Sequence, residues 1–250
     1  MRLLRPMPWV SQPTQPVGID WSNPVTQKLV GVVAPSNGGI YEATSGRRIN
    51  PTTDYSGPVT VRACRYGLEM VSPVNGGAAP QLGRRISETT GSCAWGAAFF
   101  IKDGSISAAD LLPIVGSDGG TSWANGSSST HNMMYWDSPA GERKLCFRNC
   151  WSTSLTISTS GVADGFHVAV GMSSTQAGIV LVLDGAVVAS SSPRTMFHAP
   201  SIAVDTVRSP TMASSGIGGV MLKTAWYGLD DLATAIAFTR NPWQIFASAC

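Results

Sequence analysis

The sequence is poor in charge. Asp, Glu, Lys and Arg make up 13% of its 250 residues, against about 25% in an ordinary soluble domain. Gly, Ser, Thr and Asn must then supply much of the surface, which stays soluble but is weakly self-repelling and suits contact with other copies. The 17 basic residues are scattered and the net charge is only +2. With no basic stripe to neutralise a phosphate backbone, a nucleic-acid partner is not expected. The pairs Arg47-Arg48 and Arg84-Arg85 read as solvated loop charges. No run approaches the roughly 20 apolar residues of a membrane span, and the opening MRLLRPMPWV has no apolar stretch before its prolines. Neither a signal peptide nor a membrane association is expected. Five cysteines, Cys64, Cys93, Cys146, Cys150 and Cys250, are an odd count without a CxxC pair, which argues for reduced thiols and against a zinc site.

Residues of catalysis are equally scarce. Glu42, Glu69, Glu88 and Glu142 are isolated, whereas glycoside hydrolysis needs two carboxylates at a set separation. No Gly-x-Ser-x-Gly elbow is present, and of the three histidines His167 lies inside a strand-like stretch while His198 stands in a loop before Pro200. His167 reads as a structural residue. No enzyme, cofactor or metal centre is expected.

What the sequence does contain is a succession of short strands. The clearest is GIVLVLDGAVVAS, 178–190, where Asp184-Gly185 suits a two-residue turn with positive φ. Ile179, Leu181 and Leu183 would share one face and Val180 and Val182 the other, so both faces of this hairpin need cover. A second sheet can cover one face, and a helix, an extended arm or another subunit the other. Further strand-like segments fall at 28–34, 94–101, 111–117, 131–136, 144–149, 153–158, 166–172, 201–207 and 218–228, with weaker ones between 35 and 93. Many short strands separated by turn signals predict an all-β antiparallel sandwich of two sheets, not a βαβ sheet. One short helix is predicted near the end, with Asp230 and Asp231 at its start and Asn241-Pro242 at its close.

Residues 1–27, with five prolines and with Trp9 and Trp21 between them, exclude a helix or a central strand and predict an extended arm. Trp9 and Trp21 make it a candidate docking arm, laid either on its own domain or on a neighbour. Residues 28–250 form the single domain. Within it, the polar loop at 117–130 and its flank bring together Asp118, Trp123, Asn125, His131, Trp136 and Asp137, materials for holding a sugar ring or a calcium ion. The weightier reading is a plain surface loop with Trp123 tucked inward.

The stretch GFHVAVGMSSTQAGIVLVLDGAVVAS, 165–190, resembles the central strand pair of laminin-G-like, concanavalin A-like jelly rolls. TAWYGLDDLATAIAFTRNPWQIF, 224–246, resembles the terminal strand and short helix of the same group. That helix often opens on a proline in the group, and Gly228-Leu229-Asp230 stands there instead. The ending Asn-Pro-Trp-Gln-Ile-Phe and the opening WVSQPTQPVGIDWSNPVTQKLV, 9–30, are similar to proteins of tailed bacteriophages. The resemblance implies a non-enzymatic virion structural protein, exposed as a capsid decoration or head-fibre component or carried in the tail. Its partners would be other virion proteins and further copies of itself. Made in the host cytoplasm and located in the virion, it would leave open an alternative: a carbohydrate-binding module that attaches to surface glycans.

Overall fold

The computed structural model describes residues 11–48, 60–71, 81–82, 92–101, 112–116, 133–137, 144–151, 153–174, 176–191, 204–205 and 217–247. These residues form two antiparallel sheets with one α-helix, the all-β sandwich that the strand pattern predicts. In chain order the strands are β1 (Leu29–Ser36), β2 (Gly39–Glu42), β3 (Arg47–Arg48), β4 (Thr60–Cys64), β5 (Gly67–Val71), β6 (Gln81–Leu82), β7 (Cys93–Ile101) and β8 (Leu112–Gly116). Then come β9 (Met133–Asp137), β10 (Lys144–Trp151), β11 (Thr153–Ser160), β12 (Gly165–Ser174), β13 (Gly178–Leu183), β14 (Ala186–Ser190), β15 (Val204–Asp205) and β16 (Ile217–Tyr227), with α1 at Leu232–Arg240.

The larger sheet runs β14-β13-β12-β7-β16-β1-β2-β3, and the β4–β5 hairpin joins it through β5 and β16. The smaller sheet runs β11-β10-β9-β8-β15-β6. Period-two alternation explains how they pack. Trp95, Phe99, Ala169, Ile179 and Leu181 face Met134, Trp136, Leu145 and Phe147 of the smaller sheet in one buried cluster. Of the stretch predicted at 201–207, only Val204–Asp205 is described, and it is strand.

The other face of the larger sheet is also buried. Val168, Val170, Val180 and Val182 lie in a second cluster with Ala235 and Phe238 of α1, Ile19 and Val25 of the N-terminal segment, and Trp243, Ile245 and Phe246 of the chain's end. The hairpin's two apolar faces therefore have two different covers, the smaller sheet and the helix with the terminal segments. The turn itself is as predicted: Asp184 has φ 49° and Gly185 φ 85°.

Two glycines set the layer spacing. A Cβ on Gly171 would run into the Phe147 ring of the opposite sheet, and a Cβ on Gly96 would meet Thr224 and Phe238. The first lets the sheets close, and the second lets α1 lie down on β7.

Residues 11–27 are part of this fold. The Gln12 side-chain amide donates to the carbonyls of Leu68 (2.8 Å) and Met221 (3.1 Å) and accepts from the Leu68 amide. Ile19 bridges Phe246, while the Asp20 amide donates to Ile245 and the Ala247 amide to Gly18, each at 2.9 Å. Trp226 Nε1 donates to Val25 O at 2.9 Å. The described part of the segment thus lies on its own domain.

Candidate functional site

The β4–β5 hairpin turns through Arg65 and Tyr66 and forms one wall of an open cleft of about 570 Å³. That size lies in the roughly 300–1,000 Å³ range of small-ligand sites. Also lining it are the end of β7, Phe100–Ile101, and Asp164–Gly165 at the entry to β12. Gly165 pairs with Ile101 in the sheet, so the cleft joins sheet backbone to a two-residue turn.

Tyr66 is the cleft's aromatic surface, 38% exposed. Its ring rests on Phe100 and Phe166 at centroid distances of 5.8 and 5.7 Å, and Phe166 continues to Trp243 at 6.3 Å. An aromatic base of this kind holds the ring in place while leaving part of it to solvent. The Arg65 guanidinium lies over the same ring, 5.7 Å from its centre, a cation–π distance.

Behind this pair, Arg62 donates from Nε to the Glu69 carboxylate at 2.5 Å. Glu69 is buried and also accepts from the Gly219 amide, so its two oxygens are engaged by a charge and a backbone donor. Burial pushes the Cys64 thiol up, with the Glu69 charge adding to it, and the sulfur is held as a thiol instead of a nucleophilic thiolate. The cleft is thus equipped to hold a ligand, with no activated nucleophile or free buried carboxylate among its described residues.

The histidine of β12 is structural. His167 Nδ1 is 2.7 Å from an Asp184 carboxylate oxygen and Nε2 is 2.8 Å from Ala163 O. Both ring nitrogens are occupied, as a structural role requires. Asp230 and Asp231 divide their work. Asp231 caps α1, accepting from the amides of Ala233 (2.9 Å) and Thr234 (3.2 Å). Asp230 accepts from the hydroxyls of Ser92 and Ser174 and pins the helix entry to β7 and β12.

Of the loop residues singled out from the sequence, Asp118, Trp123, Asn125 and His131 lie outside the described residues, as does Trp9 of the arm. Trp136 requires a correction: it is 0% exposed, inside the sandwich. Alternation along β9 turns Met134 and Trp136 inward together and gives the outer face to Tyr135, so Trp136 offers no face to a sugar. Trp21 is 55% exposed. Among the described residues no group of three metal-ligating side chains occurs and no helix is long and apolar enough to cross a membrane. The Arg65–Tyr66 cleft was missed in the sequence, where an Arg-Tyr pair before a glycine reads as an ordinary turn. The available signal was RACRYG, 62–67, an aromatic after two arginines at a strand–turn–strand junction.

No protein-family model and no curated protein matches this chain. Solved structures do. The binding domain of Paraclostridial Mosquitocidal Protein 1 superposes with TM-score 0.51 and 10% identity over 86% of this chain and 52% of that one. The botulinum neurotoxin serotype G binding domain gives 0.52 and 9% over 84% and 50%. A structure titled for the dependence of botulinum neurotoxin type C cell entry on two ganglioside molecules gives 0.50 and 8% over 86% and 51%. The chain spans about half the length of each of these structures. At this identity the likeness establishes a shared β-sandwich fold, and it reaches neither the laminin-G nor the bacteriophage part of the resemblance.

Proposed function

We propose that this chain is a non-enzymatic binding module that holds carbohydrate on the Tyr66 face of the cleft. The observation that carries the reading is the Tyr66 ring, 38% exposed, buttressed by Phe100 and Phe166 and with the Arg65 guanidinium over it. The C–H face of a sugar ring packs on an aromatic face, and a guanidinium supplies fixed donors for oxygens at the ring's edge. Hydrolysis requires a carboxylic acid able to give up a proton beside a second carboxylate. Glu69 is committed as an acceptor to Arg62 and Gly219, which supports binding without cleavage. That solved binding domains share this sandwich supports the same direction.

The test is a broad glycan array followed by titration of the retained glycan. Tyr66→Ala should weaken binding at least tenfold while the chain keeps a cooperative urea transition, its midpoint lowered only by the lost packing on Phe100 and Phe166. A wild-type chain that retains no glycan would sink the reading. Asp118, Trp123, Asn125 and His131 form the second candidate surface, and loss of binding in Trp123→Ala with full binding in Tyr66→Ala would move the site there.

The setting we propose is the particle of a tailed bacteriophage, with the chain as a virion structural protein exposed on the capsid, a head fibre or the tail. The resemblance of both ends to proteins of tailed bacteriophages supports this, and those ends lie against each other in the fold, Ile19 on Phe246 and Asn23 on Gln244. Peptide mass spectrometry of gradient-purified particles is the test. High copy number against the major shell protein would mark a capsid decoration, low copy number a tail or fibre, and absence would overturn the setting.

A further inference from the structure

Resting on the glycan reading of the cleft, we propose that its ligand is a carboxylate-bearing sugar, a uronic acid, whose carboxylate is bound by Arg65 while its ring lies on Tyr66. Among the described residues no carboxylate stands within ion-pair distance of Arg65, whose guanidinium lies over the Tyr66 ring. Arg62, by contrast, has given its Nε to Glu69. The positive charge of Arg62 is thereby balanced, and that of Arg65 is not.

A guanidinium presents a planar fork of donors that matches the two oxygens of a carboxylate. In a uronic acid the carboxylate is bonded directly to the ring, so a ring stacked on Tyr66 carries its charge only a short reach from the stacking surface. The Arg65 guanidinium carbon lies over the Tyr66 ring, 5.7 Å from its centre, so a sugar packed on the exposed remainder of that ring has the donor fork within reach of its carboxylate. Arg62, 48% exposed along its side chain but paired with Glu69, adds no unbalanced charge, leaving Arg65 as the cation on which carboxylate binding depends. Asp164, exposed, also lines the cleft.

The experiment measures retention of the full chain on hyaluronan, alginate and polygalacturonate, on the same polymers after chemical reduction of their carboxylates to alcohols, and on dextran sulfate, at a fixed ionic strength near 0.15 M. At least one uronate polymer should bind about tenfold more tightly than its reduced form and than dextran sulfate. Arg65→Gln should bring that polymer down to the level of its reduced form, and Tyr66→Ala should abolish both. Arg65 is exposed, so the variant should keep its urea midpoint. Equal binding of native and reduced polymer, an unaltered Arg65→Gln, or dextran sulfate bound as tightly as any uronate would overturn the carboxylate assignment and leave the glycan reading standing. Binding of neutral glycans alone would do the same. No retention on any polymer or on the array would remove both.

Discussion

His167 and Asp184 join the entry of β12 to the turn of the β13–β14 hairpin, with Nδ1 2.7 Å from one carboxylate oxygen, while the other oxygen accepts from the Val168 amide at 2.8 Å. The second ring nitrogen faces Ala163 O. Two acceptors on two ring nitrogens are both satisfied only by the imidazolium form. Burial opposes that charge, but the bond and charge of Asp184, the Ala163 carbonyl and the charge of Asp164 outweigh it and hold the histidine above its ordinary value.

A pH dependence of stability follows from that shift. A histidine whose pKa is raised on folding stabilises the fold fully below the unfolded value, roughly 6.5, and that contribution is lost as pH rises through the folded value. The urea midpoint should therefore be higher near pH 5.5 than near pH 8, and the difference should shrink in His167→Gln. A wild-type midpoint that rises across this interval, or an equal change in the variant, would contradict the assignment.

Asp230 and Asp231 are neighbours with separable costs. Asp231→Ala removes the cap of α1 and should cost about 1 kcal/mol. Asp230→Ala leaves the buried Ser92 and Ser174 hydroxyls without their shared acceptor, a loss of about 1–3 kcal/mol. Urea denaturation of the two variants should rank them in that order, and the reverse ranking would mean that capping, not anchoring, governs the helix entry.

Gly171 and Phe147 set the distance between the sheets. Gly171→Ala places a methyl group into the Phe147 ring and should destabilise by about 1–3 kcal/mol through overpacking. The double variant Gly171→Ala/Phe147→Leu should recover part of that loss, because the narrower side chain makes room. No recovery would mean that the backbone of β12 is what moves.

The parts legible in the sequence are those fixed by local chemistry. Asp184-Gly185 specifies its turn through positive φ, the alternation of β12 and β13 specifies two buried faces, and Asp231 sits at the start of the final helix because a carboxylate accepts from the first free amides. Trp136 shows the limit. Alternation was available to place it inward with Met134, but its position beside a polar loop drew it toward the surface. The contacts of Gln12 with Leu68 and Met221 span 56 and 209 residues, and no spacing in the sequence encodes them. The cleft is illegible for the same reason: Tyr66 becomes a platform only because β7 and β12 bring Phe100 and Phe166 beneath it.

The N-terminal segment supports a test that separates folding from docking. Gln12 is buried, and its amide serves three backbone groups of Leu68 and Met221. Gln12→Ala would leave these buried groups unpaired and should cost at least about 1–3 kcal/mol. Trp21 is 55% exposed, and Trp21→Ala, made at the surface, should shift stability by no more than about 0.5 kcal/mol. If the exposed indole is a docking surface for a neighbouring virion protein or a second copy, Trp21→Ala should instead lower incorporation into particles or self-association measured by sedimentation. Removing residues 1–24 should unfold or strongly destabilise the chain, because Gln12 and Ile19 go with them and the cover over Val180 and Val182 is opened. An intact urea transition after that deletion would show that α1 and the C-terminal segment cover this face unaided, and would return residues 11–27 to the role of a detachable arm.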